Sequence, residues 1–127
     1  MFKPILCVLI IFAFLIPKAS LSSNIGLEPC IKVSHCVIEE WDVNDIEEPF
    51  SAITEIIKNL PRSKIVEIDG NYLHAEVTSK WMKYVDDLEV SYLPEQNNLQ
   101  IRSESRVGDS DLGVNLKRVN SIREKFL

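Results

Sequence analysis

Basic residues, histidine and cysteine are scarce in this chain of 127 residues. It has two histidines and three cysteines, and its 14 lysines and arginines are outnumbered by 19 aspartates and glutamates. A net charge of −5 makes the chain a poor candidate for a nucleic-acid binder, because phosphate backbones are bound by basic surfaces. The sequence also has no G-x-S-x-G elbow, phosphate loop or dinucleotide fingerprint. It therefore predicts no catalytic residue, no metal ligand and no cofactor.

The first 22 residues have the pattern of a secretory signal. Lys3 precedes the uncharged apolar run "PILCVLIIFAFLIP", and the small residues of "KASLSS" then suit a signal peptidase. The run is about 14 residues long, which is shorter than the roughly 20 that a helix needs to cross a bilayer. We expect cleavage after Ala19 or Ser22, and hence an exported protein. An uncleaved segment that anchors the protein in a membrane is the alternative.

The cysteines that remain after such cleavage are Cys30 and Cys36. Two cysteines six residues apart predict a disulfide in an oxidising compartment. Closing this short loop should contribute about 2 kcal/mol. Free thiols are one alternative. A metal site with the adjacent His35 is another, although the spacing matches no usual zinc site and a fourth ligand is missing.

Residues 23–127 are one domain by size, and their patterns predict the order β-α-β-β-β-β-α. The first strand is predicted within "IKVSHCVI" (Ile31 to Ile38), and an amphipathic helix follows in "PFSAITEIIKNLPR". Four strands are predicted in "KIVEID", "YLHAEVTS", "YVDDLEVSYLP" and "LQIRSESRV", with a hairpin turn at Gly70. The segment "DLGVNLKRVNSIREKFL" predicts the last helix. Its apolar residues at helical spacing are Leu112, Leu116, Val119, Ile122 and Phe126.

This order predicts an α+β fold. An antiparallel sheet of four to five strands with both helices on one face is the simplest way to bury two helical stripes. A curved, helix-grip-like sheet around the C-terminal helix is the alternative, and it would leave a cavity. The residues of the last strand with core-facing parity are Leu99, Ile101 and Val107.

Charged residues alternate on the other face of the last two strands. Arg102 and Arg106 face out beside Asp87 and Glu89 of the preceding strand, and at least one of the arginines should lie opposite or diagonal to an acid. Cross-strand pairs of this kind contribute about 0.2–1 kcal/mol each, so a charge ladder on a solvated face explains them. The alternative is that the arginines hold a carboxylate or phosphate ligand with their planar forks.

Polar residues at core-facing positions predict an internal network. Asp86 has the parity of Leu88, and Ser103 and Ser105 have the parity of Ile101. A buried polar group without a partner costs about 1–3 kcal/mol, so these side chains need partners. The set predicted to supply the network is Asp86, Ser103, Ser105, Asn115 and Arg118. The alternative is that these positions lie at an open end of the sheet.

Two further residues near the last helix are singled out. Asp109, Ser110 or Asp111 can cap the helix, and acids suit its amino terminus. Gly113 within a first helical turn costs about 1 kcal/mol relative to alanine. We therefore expect a close approach of another backbone or a ligand at Gly113.

Three stretches together resemble a known family. They are "CIKVSHCV", "VDDLEVSY" and "IRSESRVGDSDLGVNLKRVNSIRE", and the chain resembles the family called domain of unknown function 1499 from about Cys30 to Leu127. His35 stands where asparagine is common in that family. The resemblance implies a small exported or membrane-associated bacterial or plastid protein, so a periplasm or a thylakoid lumen is the expected compartment. It gives added weight to the serines, glycines and Asn115 between the arginines.

These observations predict a non-enzymatic exported domain that binds a partner protein or a small ligand at the strand–helix junction, residues 102–118. A hydrolase that uses the carboxylates with Arg102 or Arg106 is one alternative, and a lipid or pigment carrier is another. We expect no nucleic-acid partner, and a membrane contact only through an uncleaved first segment. The candidate binding residues are Asp86, Asp87, Arg102, Ser103, Ser105, Arg106, Asp111, Asn115 and Arg118.

Overall fold

The computed structural model describes residues 26–127, so the predicted signal segment 1–22 lies outside the described residues. The elements in chain order are β1 (Cys36–Asp42), α1 (Pro49–Lys58), β2 (Ser63–Asp69), β3 (Tyr72–Thr78), β4 (Val85–Leu93), β5 (Asn98–Ser105) and α2 (Val114–Phe126). This confirms the predicted order and the α+β class. No helix among the residues described has the length and apolar character that crossing a membrane requires.

The five strands form one open antiparallel sheet in the order β1-β5-β4-β3-β2. Strands β2 to β5 are neighbours in sequence and in space, because short turns join β2 to β3 and β4 to β5 and a six-residue loop joins β3 to β4. Gly70 has φ of 57° in the predicted β2–β3 turn. Asn97 has φ of 47° after a short 3-10 turn between β4 and β5. Strand β1 lies outside this meander and pairs with β5, with Trp41 opposite Leu99.

Both helices pack on one face of the sheet, as predicted. Ile53 and Ile57 of α1 and Val119 and Ile122 of α2 are completely buried in one cluster with sheet residues. The completely buried apolar residues of the sheet are Leu73, Ala75, Leu88, Val90, Leu99 and Ile101. The core therefore fills the space between the sheet and the helices, and the opposite face of the sheet carries the charged residues.

The first strand begins later than predicted. It starts at Cys36 instead of Ile31, because the chain before it makes a turn in which the His35 amide donates to the Lys32 carbonyl at 3.1 Å. Ile31 and Val33 are 95% and 81% exposed in that turn. The apolar alternation of "IKVSHCVI" was misleading because half of it belongs to an exposed loop.

Helix α2 also begins later than predicted, at Val114. It buries Asn115 where Leu112 and Leu116 were expected, whereas Val119, Ile122 and Phe126 are buried as predicted. Leu112 is 93% exposed before the helix, and Leu116 is 49% exposed on it. Val107, predicted to face the core, is 53% exposed because β5 ends at Ser105.

Gly113 has a conformational role instead of the predicted close approach. Its φ is 81° immediately before α2, a left-handed backbone that glycine adopts without steric cost. A Cβ built there meets no atom within 4 Å among the described residues. Gly113 therefore lets the chain turn sharply from the loop into the helix.

Candidate functional site

The predicted disulfide between Cys30 and Cys36 is present, with Cα atoms 5.6 Å apart. The loop that it closes contacts the β5–α2 loop. The His35 carbonyl accepts the Ser105 amide at 3.0 Å, and the Ser34 carbonyl accepts the Asp111 amide at 3.2 Å. The disulfide loop therefore holds the strand–helix junction against the start of β1.

Arg118 is the donor at the centre of the internal network. Its Nη2 donates to Asp86 Oδ2 at 2.8 Å. Its Nη1 donates to Ser103 Oγ at 3.0 Å and to Asn115 Oδ1 at 2.8 Å. Ser103 Oγ in turn donates to Asn115 Oδ1 at 2.6 Å. The Arg118 and Asp86 side chains are only 12% and 6% exposed, so this ion pair is buried.

Asn115 joins this network to the loops. Its Nδ2 donates to Ser105 Oγ at 2.9 Å, to Asp111 Oδ2 at 2.7 Å and to the His35 carbonyl at 3.1 Å. The amide oxygen faces donors and the amide nitrogen faces acceptors, which fixes the orientation of the side chain. A completely buried asparagine is thus satisfied by β5, the β5–α2 loop and the disulfide loop together.

Asp111 closes the amino-terminal end of α2, as one of its predicted caps. Its carboxylate accepts the Gly113 amide at 2.8 Å and the Asn115 amide at 3.0 Å. Burial raises the pKa of Asp111, but the hydrogen bonds from Asn115 and Gly113 outweigh burial and hold that pKa below its ordinary value. The carboxylate is therefore ionised and occupied by the helix end.

The outer face of the sheet carries the predicted charge ladder. Arg106 binds Asp87 with two nitrogens, at 2.9 and 2.8 Å, and Arg102 contacts Glu89 at 3.2 Å. His74 Nε2 lies 2.7 Å from Asp87 Oδ1. The hydrogen bonds from Arg106, opposed by burial and helped by His74, hold the pKa of Asp87 below its ordinary value.

The candidate residues therefore lie in two places instead of one. Adjacent residues of a strand point to opposite faces, so the sheet itself separates them. The outer face carries Asp87, Arg102 and Arg106. The internal network holds Asp86, Ser103, Ser105, Asp111, Asn115 and Arg118. The single site predicted at residues 102–118 thus divides into a surface ladder and an internal network.

A cleft of about 640 Å³ opens beside the internal network. It lies between the β3–β4 loop, residues 79–84, and the β5–α2 loop, residues 106–113. Asp86, Ser105 and Asp111 supply part of its lining. Its apolar lining comes from Trp81, Met82, Tyr84, Val107, Leu112 and Val114. A second hollow of about 340 Å³ continues past Val114 towards Arg118.

The apolar residues of this cleft were missed from the sequence. Trp81 and Met82 lie between two strands, where no periodicity marks them, and Leu112 fitted the stripe of the predicted helix. The short run "KWMK", with a tryptophan between lysines and outside any element, was the signal available. Among the described residues, large exposed apolar side chains concentrate at this end of the sheet.

A family model described as "Protein of unknown function (DUF1499)" matches residues 20–126. The chain belongs to this family. The match covers the disulfide, the ladder, the internal network and the cleft, so the resemblance read from the three sequence stretches is confirmed. No curated protein matches this DUF1499 chain.

Proposed function

We propose that this DUF1499 protein is a non-enzymatic binding domain and that the cleft between residues 79–84 and 106–113 holds a small ligand. The observation that carries the proposal is the combination of apolar walls with a polar network at one place. Ligand sites are commonly concave and apolar, with a few polar groups that fix orientation. At about 640 Å³, the cleft has the volume of such sites.

The lining favours a ligand with an apolar body and a few polar groups. Asp86, Ser105 and Asp111 supply polar atoms where the cleft meets the internal network. Ser105 Oγ accepts from Asn115, so its hydroxyl proton is available to a ligand acceptor. Asp86 uses Oδ2 for Arg118 and has Oδ1 for a ligand donor. An apolar body would lie against Trp81 and its neighbours.

The hydrolase alternative has less support than binding. It needed Arg102 or Arg106 beside the carboxylates of the junction, but both arginines pair with acids on the outer face. Asp111 is occupied by the helix end, and Asp86 by Arg118. These contacts favour a structural role for the charged groups and a binding role for the cleft that they border.

A lipid or pigment carrier would have to hold its ligand outside the core. Ile101, Val119 and Ile122 are completely buried between the sheet and α2, so that space is filled. An apolar ligand would therefore lie in the open cleft at the end of the sheet.

The disulfide fits the proposed export, because such bonds persist in oxidising compartments. Amino-terminal sequencing of the exported protein tests the export proposal, and an intact Met1 would contradict it.

A blocked-cleft variant tests the binding proposal. Val114 is 45% exposed and lines the cleft, whereas Val66 on β2 is 41% exposed and does not. With the uncharged dye N-phenyl-1-naphthylamine as the probe, we expect the fluorescence gain of the original protein to be lost in Val114→Trp and kept in Val66→Trp. Equal dye binding by both variants would contradict the proposal. Mass spectrometry of compounds that co-purify with each variant extends the comparison to natural ligands.

A further inference from the structure

Three loops at one end of the sheet carry exposed apolar side chains at their tips. Ile31 and Val33 are 95% and 81% exposed on the disulfide loop. Trp81 and Met82 are 82% and 64% exposed on the β3–β4 loop, and Leu112 is 93% exposed on the β5–α2 loop. The Ser34 and His35 carbonyls accept the Asp111 and Ser105 amides, which holds the first loop against the third, and the cleft lies between the second and third. The three tips therefore belong to one surface, which we call the loop end.

The backbone holds two of these tips in an unfavourable conformation. Leu112 has φ of 53° and Lys83 has φ of 58°, in the left-handed region where glycine or asparagine is usual. Non-glycine residues in this region cost about 1–3 kcal/mol and cluster at functional sites. The Leu112 side chain is almost fully exposed on this strained backbone and lies outside the buried core, so its place suggests an external contact.

The loop end is locally basic in an acidic protein. The segment "SKWMKY", residues 79–84, contains Lys80 and Lys83 and no acid. Lys80 Nζ lies 5.1 Å from the centre of the Trp81 ring. The acids nearby are compensated: Asp109 pairs with Lys32 at 3.0 Å, and Asp86 with Arg118 at 2.8 Å. Asp111, also at this end, accepts backbone amides of α2.

We propose that the loop end docks on the surface of a bilayer that contains anionic lipid. Trp81, Met82 and Leu112 would enter the interfacial layer, where tryptophan is favoured, and Lys80 and Lys83 would meet the phosphates. The net charge of −5 disfavours contact with anionic lipid, but the charge that matters lies within a Debye length of the contact. This docking goes beyond the proposed ligand site and is tested separately, although the cleft would then open towards the bilayer.

The composition of the surface favours lipid over a protein partner. The cores of protein–protein interfaces are depleted in lysine, whereas here two lysines flank Trp81, whose side chain is 82% exposed. Interfacial membrane contacts combine lysine with tryptophan, leucine and methionine at shallow depth. Apolar tips on three separate loops can also enter a fluid interface together without a complementary protein surface.

Vesicle binding tests the docking. The full chain, in whatever processed form the expressing cell yields, is titrated with phosphatidylcholine vesicles and with vesicles of phosphatidylcholine and phosphatidylglycerol in equal parts. Quenching of tryptophan fluorescence by brominated lipid reports whether Trp81 enters the lipid, because Trp41 is 5% exposed in the core. The variant Trp81→Phe shows how much of the quenching comes from Trp81. This readout is specific to the loop end, so membrane contact of the amino-terminal segment does not reproduce it.

The expected result is binding to the anionic vesicles with quenching of Trp81. Lys80→Gln and Lys83→Gln should each weaken binding about fivefold, the equivalent of ~1 kcal/mol for each basic residue at a lipid surface. Leu112→Asn should weaken it about tenfold, because docking would bury the exposed leucine in the lipid. Asparagine tolerates the left-handed backbone, so folding is kept. Ile68→Ser, on β2 and 53% exposed, and Lys58→Gln, on α1, are the matched controls and should leave binding unchanged.

Three results of the vesicle titration would overturn the docking. They are the absence of Trp81 quenching, equal quenching by vesicles with and without phosphatidylglycerol, and equal losses in the loop-end and control variants. Capture of a protein partner that depends on Leu112, without vesicle binding, would also overturn it in favour of a protein interface. Dye binding tests the ligand cleft, and vesicle binding tests the docking of the loop end. A Val114→Trp variant that loses dye binding and keeps vesicle binding would support both proposals and show that the two measurements report on different features.

Discussion

The buried Asp86–Arg118 pair gives the sharpest test of how this fold is held together. In Asp86→Asn, the Arg118 charge stays in place with its side chain 12% exposed and without its carboxylate. Removing one partner of a buried ion pair costs about 3–5 kcal/mol. Because asparagine keeps an acceptor and Arg118 keeps its bonds to Ser103 and Asn115, we expect the lower end, about 3 kcal/mol.

The outer face supplies a control of the same chemistry at the same distance. Arg106 Nη2 lies 2.8 Å from Asp87, as Arg118 Nη2 lies 2.8 Å from Asp86, but the outer side chains are 44% and 28% exposed. Exposed ion pairs contribute little, because water and salt screen them. Asp87→Asn should therefore lose only a small fraction of the stability that Asp86→Asn loses.

Urea unfolding at neutral pH with the disulfide intact measures both changes. With m-values of about 1–3 kcal/mol/M for small proteins, a loss of about 3 kcal/mol lowers the midpoint by roughly 1–3 M. In the double variant Asp86→Asn with Arg118→Met, the loss should be smaller than the sum of the single losses, because the buried charge is gone. Equal midpoints for Asp86→Asn and Asp87→Asn would refute the reasoning that burial decides the strength of these pairs.

Three more predictions concern the junction. Folding lowers the pKa of Asp111, so its contribution to stability is complete above the ordinary carboxyl pKa of about 3.9 and is lost as the pH falls through the folded value. In Asp111→Asn, the unfolding free energy measured with urea should therefore fall less steeply as the pH is lowered. Gly113→Ala should cost about 1–2 kcal/mol of unfolding free energy in the same assay. Gly113→Asn should cost no more than Gly113→Ala if the role of Gly113 is purely conformational. An alanine variant as stable as the original protein would contradict that role. Cys30→Ser should cost about 2 kcal/mol of unfolding free energy. It should also speed hydrogen exchange of the Ser105 amide, whose acceptor, the His35 carbonyl, lies in the disulfide loop. Unchanged exchange would contradict a role of the disulfide in holding the junction.

The strands were predictable because their period of two leaves only two choices. Once Leu88 and Ile101 were assigned to the core, Asp86, Ser103 and Ser105 had to lie on the same side, and the structure places them there. The same parity put Asp87 and Arg102 on the outer face. The sequence could not show that the sheet divides the candidate residues between its outer face and the internal network, because these residues are adjacent along the chain and fall within one motif.

The last helix was harder because its buried face depends on where it begins. Leu112 and Leu116 fit the spacing of Val119 as well as Asn115 does, and apolar residues were preferred for the core. The structure buries Asn115 because Ser103, Ser105, Asp111 and the disulfide loop satisfy its amide. Loops supply two of those partners, and their positions follow from the assembled fold rather than from local spacing.

The pairing of β1 with β5 also bears on the order in which the chain can fold. Strands β2 to β5 form a local meander, whereas β1 must wait for the strand at the far end of the chain, with Cys36 opposite Glu104. Distant pairing pays a larger loop-closure cost and forms more slowly. The cysteines are only six residues apart, so their thiols can meet before any strand exists. The covalent link is thus available as an early contact of a strand that docks late, and the junction is completed only when that strand arrives.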